Sequence, residues 1–300
     1  MDNHKYMKGQ CMFRFFRALF WTLSSLLFVA CGAGTTNTSS TTTTNKPETG
    51  TQTTTPQVPT SIASPDTQTT STPPQNNAAS IDVLVLYDKE VQNSYSDVAT
   101  RVNHLFSVSN NIYKDSQLNI TIHPKKILFY NAKTHPALDE IANDTAVQAL
   151  RAKYHADTVL IYQVNPNGVV GQCGVAYSAG AYDKAYQFKD AMYAQVEINC
   201  PTDSTAHEIG HNMGLVHSHR QNGDHAQPYS YGLGHGIDGS FATIMAYAYL
   251  FHTNNQVPKF SSPDYDCAPG EPCGIPVGQP GEAHATKVMR MTAPKIANLY

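Results

Sequence analysis

His207-Glu208-Ile209-Gly210-His211-Asn212-Met213-Gly214-Leu215-Val216-His217 sets three imidazoles, a carboxylate and a turn-forming glycine in one short run. On a helix four residues advance about 400°, so His207 and His211 leave the same face one turn apart. That spacing lets two Nε2 atoms share one zinc ion at roughly 2.0–2.1 Å. Glu208, beside the first of them, is placed to take a proton from a water that the metal activates. Gly214 can adopt the left-handed conformation that ends a helix, and the chain can then swing His217 in as a third ligand. A fourth tetrahedral position stays open, which a catalytic zinc needs and a structural zinc lacks. Accident is a poor rival. A bare HExxH arises by chance in about one chain in a hundred of this length, and the added Gly and His lower that to roughly a few in a hundred thousand.

Outward from this stretch, the 300 residues divide by composition into three parts, 1–30, 31–80 and 81–300. Lys5, Lys8, Arg14 and Arg17 precede an uncharged, mostly apolar run from Ala18 to Ala30. Thirteen residues of helix span about 20 Å, short of the roughly 30 Å hydrocarbon core, so the segment reads as a signal peptide rather than a spanning helix. Cys31 follows Phe28-Val29-Ala30 and resembles a bacterial lipoprotein processing site, with Phe28 where Leu is usual. The expectation is an exported bacterial lipoprotein, lipidated at Cys31 and anchored at the cell surface or outer membrane. If Cys31 is not lipidated, the protein is secreted.

From Gly32 to about Ser80 the chain is Thr, Ser, Pro, Gln and Asn with hardly an aliphatic residue. Such a segment cannot bury enough apolar surface to offset its ordering entropy, so it reads as a disordered tether reaching about 35–40 Å on average. Of 20 basic and 23 acidic side chains, the first 31 residues hold four and one, leaving 16 and 22, a net charge of −6. There is no basic stripe, so no nucleic-acid partner is expected. Four cysteines follow the tether: Cys173, Cys200, Cys267 and Cys273. In an exported chain an even count reads as disulfides, with three connectivities open; Cys173–Cys200 and Cys267–Cys273 are favoured.

In the third part the grammar is α/β. Residues 81–87 form a near-continuous apolar strand pattern, as expected for a strand covered on both faces. A long helical pattern covers about 94–117, with strands at 118–122 and 127–130, a helix at about 145–154 and a strand at 156–164. Two more strands are expected at 171–177 and 191–198. Pro201-Thr202-Asp203-Ser204 offers capping chemistry for the helix that carries His207. A loop-rich half follows, until a last helix at about 282–298.

The eleven residues from His207 to His217 match the HExxHxxGxxH signature of the metzincin zinc endopeptidases. Ala242-Thr243-Ile244-Met245-Ala246-Tyr247 resembles that clan's Met-turn. The order of Gly171-Gln172-Cys173-Gly174-Val175-Ala176-Tyr177, Cys200, Pro228-Tyr229-Ser230-Tyr231-Gly232 and Pro258-Lys259-Phe260-Ser261-Ser262-Pro263-Asp264 is most similar to bacterial reprolysin-like (adamalysin-type) peptidases. Ser218 departs from the Asp those members carry after the third histidine and is instead matrixin-like.

The resemblance implies a mixed five-stranded sheet and long helices in an upper subdomain, an irregular lower subdomain after Gly214, and a cleft between them. It implies one catalytic Zn²⁺ on His207, His211 and His217, with Glu208 as general base. Met245 would support the ligands from beneath, and Tyr247 would be a transition-state contact. Gly174, Val175, Ala176 and Tyr177 would form the sheet edge that pairs with extended protein or peptide substrates. His219, His225, His235 and His252 lack ligand spacing and read as surface or cleft residues. The resemblance admits calcium, but no EF-hand pattern of acids supports it. A monomer is expected. The alternative from another class is a noncatalytic surface adhesin that retains the fold; an intact Glu208 argues against it.

Overall fold

The structure is a computed structural model and describes residues 77–131, 135–164, 173–179, 188–221 and 229–300. The signal segment, Cys31, the tether as far as residue 76, Gly171, Gln172, His225 and Pro228 lie outside the described residues.

Ala79-Ser80-Ile81-Asp82-Val83-Leu84-Val85-Leu86-Tyr87 forms the central strand β1 (Ala79–Tyr87). Its apolar residues from Val83 to Leu86 are all fully buried, as a strand covered on both faces must be. The sheet has the order β2-β1-β3-β5-β4, with β2 (Ile120–Phe129), β3 (Thr158–Gln163), β4 (Gly174–Ala176) and β5 (Tyr193–Glu197). The first four in that order run parallel and β4 alone runs antiparallel, against β5. The mixed five-stranded α/β sheet is the expected one.

Parallel strands require crossovers, and these are helical. α1 (Lys89–Ser94) and α2 (Val98–Asp115) lead from β1 to β2, and α3 (Leu138–Asn143) and α4 (Thr145–Lys153) lead from β2 to β3. The long helix expected over 94–117 is therefore shorter, and α1 precedes it as a separate turn. Asp88 caps α1 through Val91 N–H and Asp97 caps α2 through Thr100 N–H, so the chain restarts at each acid. α3 was not anticipated: at six residues it is too short to show a period.

A second correction concerns β2, expected as two strands and found as one. Its register against β1 shifts between Val83 and Leu84, where the partner steps from Pro124 to Lys126. Lys125 is the extra residue and turns out to reach Asp82 at 2.6 Å. This edge of the sheet thus carries a proline, a bulge and a charged side chain, features that discourage pairing with another chain.

Glu208 belongs to α5 (Ser204–Asn212), which packs on the face opposite α4. Tyr162 on β3 meets the Thr205 hydroxyl of α5 at 2.8 Å, whereas the guanidinium of Arg151 on α4 lies 5.2 Å from the Tyr193 ring centre on β5. The expected cap of α5 is not made: Asp203 is already helical (φ −83°, ψ −11°) and its side chain makes no capping hydrogen bond. Beyond α5 the chain is irregular, with two-residue strands β6 (Gly236–Ile237) and β7 (Phe241–Ala242) and the pair β8 (Asp266–Ala268) and β9 (Glu271–Pro272). The last helix, α6 (Ala285–Ile296), returns to the sheet, and its Thr292 hydroxyl donates to the Met213 carbonyl at the end of α5 at 2.8 Å. Both favoured disulfides form, Cys173–Cys200 and Cys267–Cys273.

Candidate metal centre

Four residues apart on α5, His207 and His211 leave one face, their ring centres 4.9 Å apart. The helix stops because Gly214 takes φ +95°, a region that L side chains adopt only at a cost. Its N–H then bonds the His211 carbonyl at 2.8 Å, and Leu215 N–H bonds the Gly210 carbonyl at 3.1 Å. After that reversal the His217 ring lies 4.8 Å from His211 and 5.2 Å from His207. One nitrogen from each imidazole lies within 4.8 Å of those of the other two, and no other such group of three His, Cys, Asp or Glu occurs among the described residues.

The tautomers follow from the partners. His207 Nδ1 donates to the Ile244 carbonyl and His211 Nδ1 donates to the Leu215 carbonyl, each at 2.8 Å. Both rings therefore keep a lone pair on Nε2, the arrangement a metal-binding histidine requires. Burial pushes all three imidazoles below their ordinary range, His211 to about 3 and His217 well down, helped in both by the neighbouring rings. Each is thus favoured in the neutral form, which a metal ligand needs. His207 Nε2 and His217 Nε2 stand 3.2 Å apart. Two ligands of a tetrahedral zinc at 2.0–2.1 Å are separated by about 3.3 Å, so these residues fit the ion.

Glu208 leaves the helix toward the sheet edge. It is 5% exposed, and its Oε2 has no hydrogen-bond partner among the described residues. Burial pushes its carboxyl up to about 8; a dication beside it would favour the carboxylate. The seat is Gly174. A Cβ built there would meet Glu208 Cγ, Glu208 Oε1 and Gln195 O, each at 2.6 Å. The residues expected to form the edge do so in part: Gly174, Val175 and Ala176 make β4, while Tyr177 lies just past it and bonds the Tyr193 carbonyl at 3.3 Å.

Met245 is fully buried, and a Cβ on Gly210 would come 3.2 Å from its sulfur, so it packs under the helix turn between the two histidines. The turn above it is closed by Ala246 N–H to the Thr243 carbonyl at 2.8 Å and clamped by the Gln256 amide, which donates to both the Thr243 and Ala246 carbonyls. The Tyr247 ring centre is 5.1 Å from that of His217, and Tyr249, 70% exposed, follows at 5.8 Å. His235 lies near His219 and Arg220 rather than with the three clustered rings, and His252 faces Asp238. Ser218 is buried, its hydroxyl without a partner among the described residues.

Asn212 carries a role that the sequence reading missed. Its amide nitrogen lies 2.9–3.0 Å from the carbonyl oxygens of Tyr177, Ala191 and Tyr193, and its oxygen accepts from Thr158. One side chain thus ties α5 to β3, to β5 and to the residue after β4. The only cue was an amide in the last turn of a helix whose apolar face is otherwise regular, since Asn is a poor helix former.

The reprolysin-like model of metallopeptidase family M12B matches residues 77–276. A peptidyl-Asp metalloendopeptidase of Pseudomonas aeruginosa (strain PAO1) is 30% identical over 244 residues, covering 73% of this chain. The chain spans 40% of that relative's length. Among solved structures, a chain from a structure titled as a chaperone–substrate complex aligns with TM-score 0.55 and 25% identity, over 73% of this chain and 35% of the other. With its histidine cluster, its sheet and a family match spanning all six helices but the last, this chain belongs to the reprolysin-like M12B metallopeptidases.

Proposed function

We propose that the chain is a zinc-dependent endopeptidase that cuts proteins outside the cell while anchored by a lipid on Cys31. The observation that carries the reading is one cluster: His207 and His211, each with its Nδ1 on a carbonyl, His217 beside them, and a buried carboxyl, Glu208, seated against a sheet edge. Held by His207, His211 and His217, a zinc ion would polarise the scissile carbonyl and lower the pKa of a water toward about 7.

Glu208 takes that water's proton and delivers it to the departing amine, a reversible role suited to a carboxyl whose basicity burial has raised. Among the described residues only one side of β4 is paired, by β5; an extended peptide laid along its other side would gain main-chain hydrogen bonds irrespective of its sequence. Tyr247, whose ring centre lies 5.1 Å from that of His217, is the residue assigned in this reading to the oxygen that gains charge during attack.

The full chain, loaded with zinc, is expected to cleave a denatured protein mixture, and a zinc chelator is expected to stop it. Glu208→Ala should lower the rate by at least about 100-fold. Equal cutting by that variant, or cutting that a chelator leaves untouched, would remove this reading. Peptides with and without Asp are the first comparison, because the Pseudomonas relative is named for that residue. Incorporation of a labelled fatty acid, abolished by Cys31→Ser, tests the anchor.

A further inference from the structure

Behind the cleft edge, on the face of the sheet away from Glu208, lies a second polar group that the metal centre does not use. Gln195 and Glu197 alternate along β5 and share a face with Gln163, the strand partner of Glu197. Gln163 is fully buried, and its Oε1 accepts from Gln195 Nε2 at 2.6 Å and from His135 Nδ1 at 3.2 Å. The other ring nitrogen of His135 faces Glu90 Oε2 at 3.0 Å. Both ring nitrogens thus already face oxygens of Gln163 and Glu90, and neither is left for the groups beyond.

What remains without a partner among the described residues of this group is Asp88 Oδ2, Gln195 Oε1 and Glu197 Oε2. All three are acceptors, and Asp88 is 2% exposed. A buried acceptor without a donor is destabilising, and a buried charge without a partner more so. As a carboxylate Glu197 adds to the excess of acceptors; as a carboxylic acid it supplies a donor.

We infer that Glu197 is a positioning residue for the substrate edge, held as the neutral acid whose proton is the donor this pocket lacks. Its main chain makes the link to the cleft: Glu197 N–H donates to the Cys173 carbonyl at 2.8 Å, immediately before β4, and Cys173 is bonded to Cys200. Gln195, two residues earlier, pairs with Val175 of β4. Burial moves the Glu197 carboxyl in the same direction, up to about 7 from 4.5, with Asp88 and Glu90 raising it and His135 opposing. The groups facing it are Asp88 from the end of β1, Glu90 from α1 and His135 from the segment before α3. Asp139 of α3 is held by the Tyr177 hydroxyl, and Arg101 of α2 reaches the Ile198 carbonyl from the opposite face. A carboxyl whose folded pKa is raised contributes stability that is complete below about 4.5 and lost as pH rises through about 7. Ionisation therefore loosens the strand that holds substrate without touching the metal ligands.

The role in substrate binding rests on the peptidase reading; the structural part does not. In the zinc-loaded full chain, amide exchange over residues 173–176 should accelerate between pH 6 and 8.5 by about tenfold beyond the intrinsic base-catalysed rise, a change of about 1.4 kcal/mol. Glu197→Gln, which keeps a donor and cannot ionise, should abolish that excess. For peptide hydrolysis, KM of the wild type should rise several-fold over the same range with kcat little affected by the edge. The Gln variant should hold KM flat, and Glu197→Leu should show the high KM at every pH with zinc content unchanged. An exchange profile without the excess in wild type overturns the inference, and so does a Gln variant that follows wild type. Exchange reads the inference without turnover, so failure to cleave any protein would overturn the peptidase reading alone.

Discussion

A methyl group at Gly174 would sit 2.6 Å from the Glu208 carboxylate on one side and from the Gln195 carbonyl on another. Relief requires both the β4–β5 backbone and the Glu208 side chain to shift, so Glu208 loses its seat. Gly174→Ala is therefore expected to cut peptide hydrolysis by about 100-fold, comparable to the loss of a positioned base. Bound zinc, read by elemental analysis, should be unchanged, since the atoms nearest that position belong to Glu208 and Gln195 and not to the three histidines. Retained activity would show that Glu208 has room to spare. Asn212→Leu removes the amide shared by three buried carbonyls and should destabilise the fold by about 3 kcal/mol, measured by denaturant unfolding. His207 and His211 were legible from spacing alone, because a helix turn fixes where i and i+4 point, and His217 from the glycine three residues before it. The seat at Gly174 was not, because it arises from two backbones approaching across the sheet edge, which no local pattern encodes.

At the scale of elements, α5 is a helix of nine residues whose C-terminal carbonyls need partners. Thr292 of α6 supplies one, from 79 positions along the chain. Thr292→Val keeps the volume and removes the hydroxyl, so it should cost about 1–2 kcal/mol and lower the melting temperature by a few degrees. An unchanged melting temperature would mean that water replaces the bond. Strands and long helices were read correctly where the apolar period ran unbroken, as in β1 and α2. The reading split β2 in two because Pro124-Lys125-Lys126 interrupts the alternation, and the structure instead absorbs the extra residue as a bulge. The short helices α1 and α3 are marked by their caps, Asp88 and the Glu140 side chain that bonds Ala137 N–H, rather than by periodicity.

For the whole molecule, a ligand bound only by the folded state stabilises it by mass action. Zinc at a thousand times its dissociation constant adds about 4 kcal/mol, so chelation should lower the melting temperature by several degrees, and scanning calorimetry with and without chelator would show it. An identical transition in both would mean that the histidine cluster holds no metal in solution. The loop-rich region after Gly214 was legible only as an absence of period; its organisation around buried Phe241, Met245 and Phe260 depends on contacts distant in sequence. One of these sets an order of assembly. His211 finds the carbonyl that orients its ring four residues on, but His207 waits for Ile244, 37 residues later. The first imidazole is therefore aimed by tertiary folding and not by its own helix, so a fragment that ends before Ile244 would carry all three rings with the first of them unoriented.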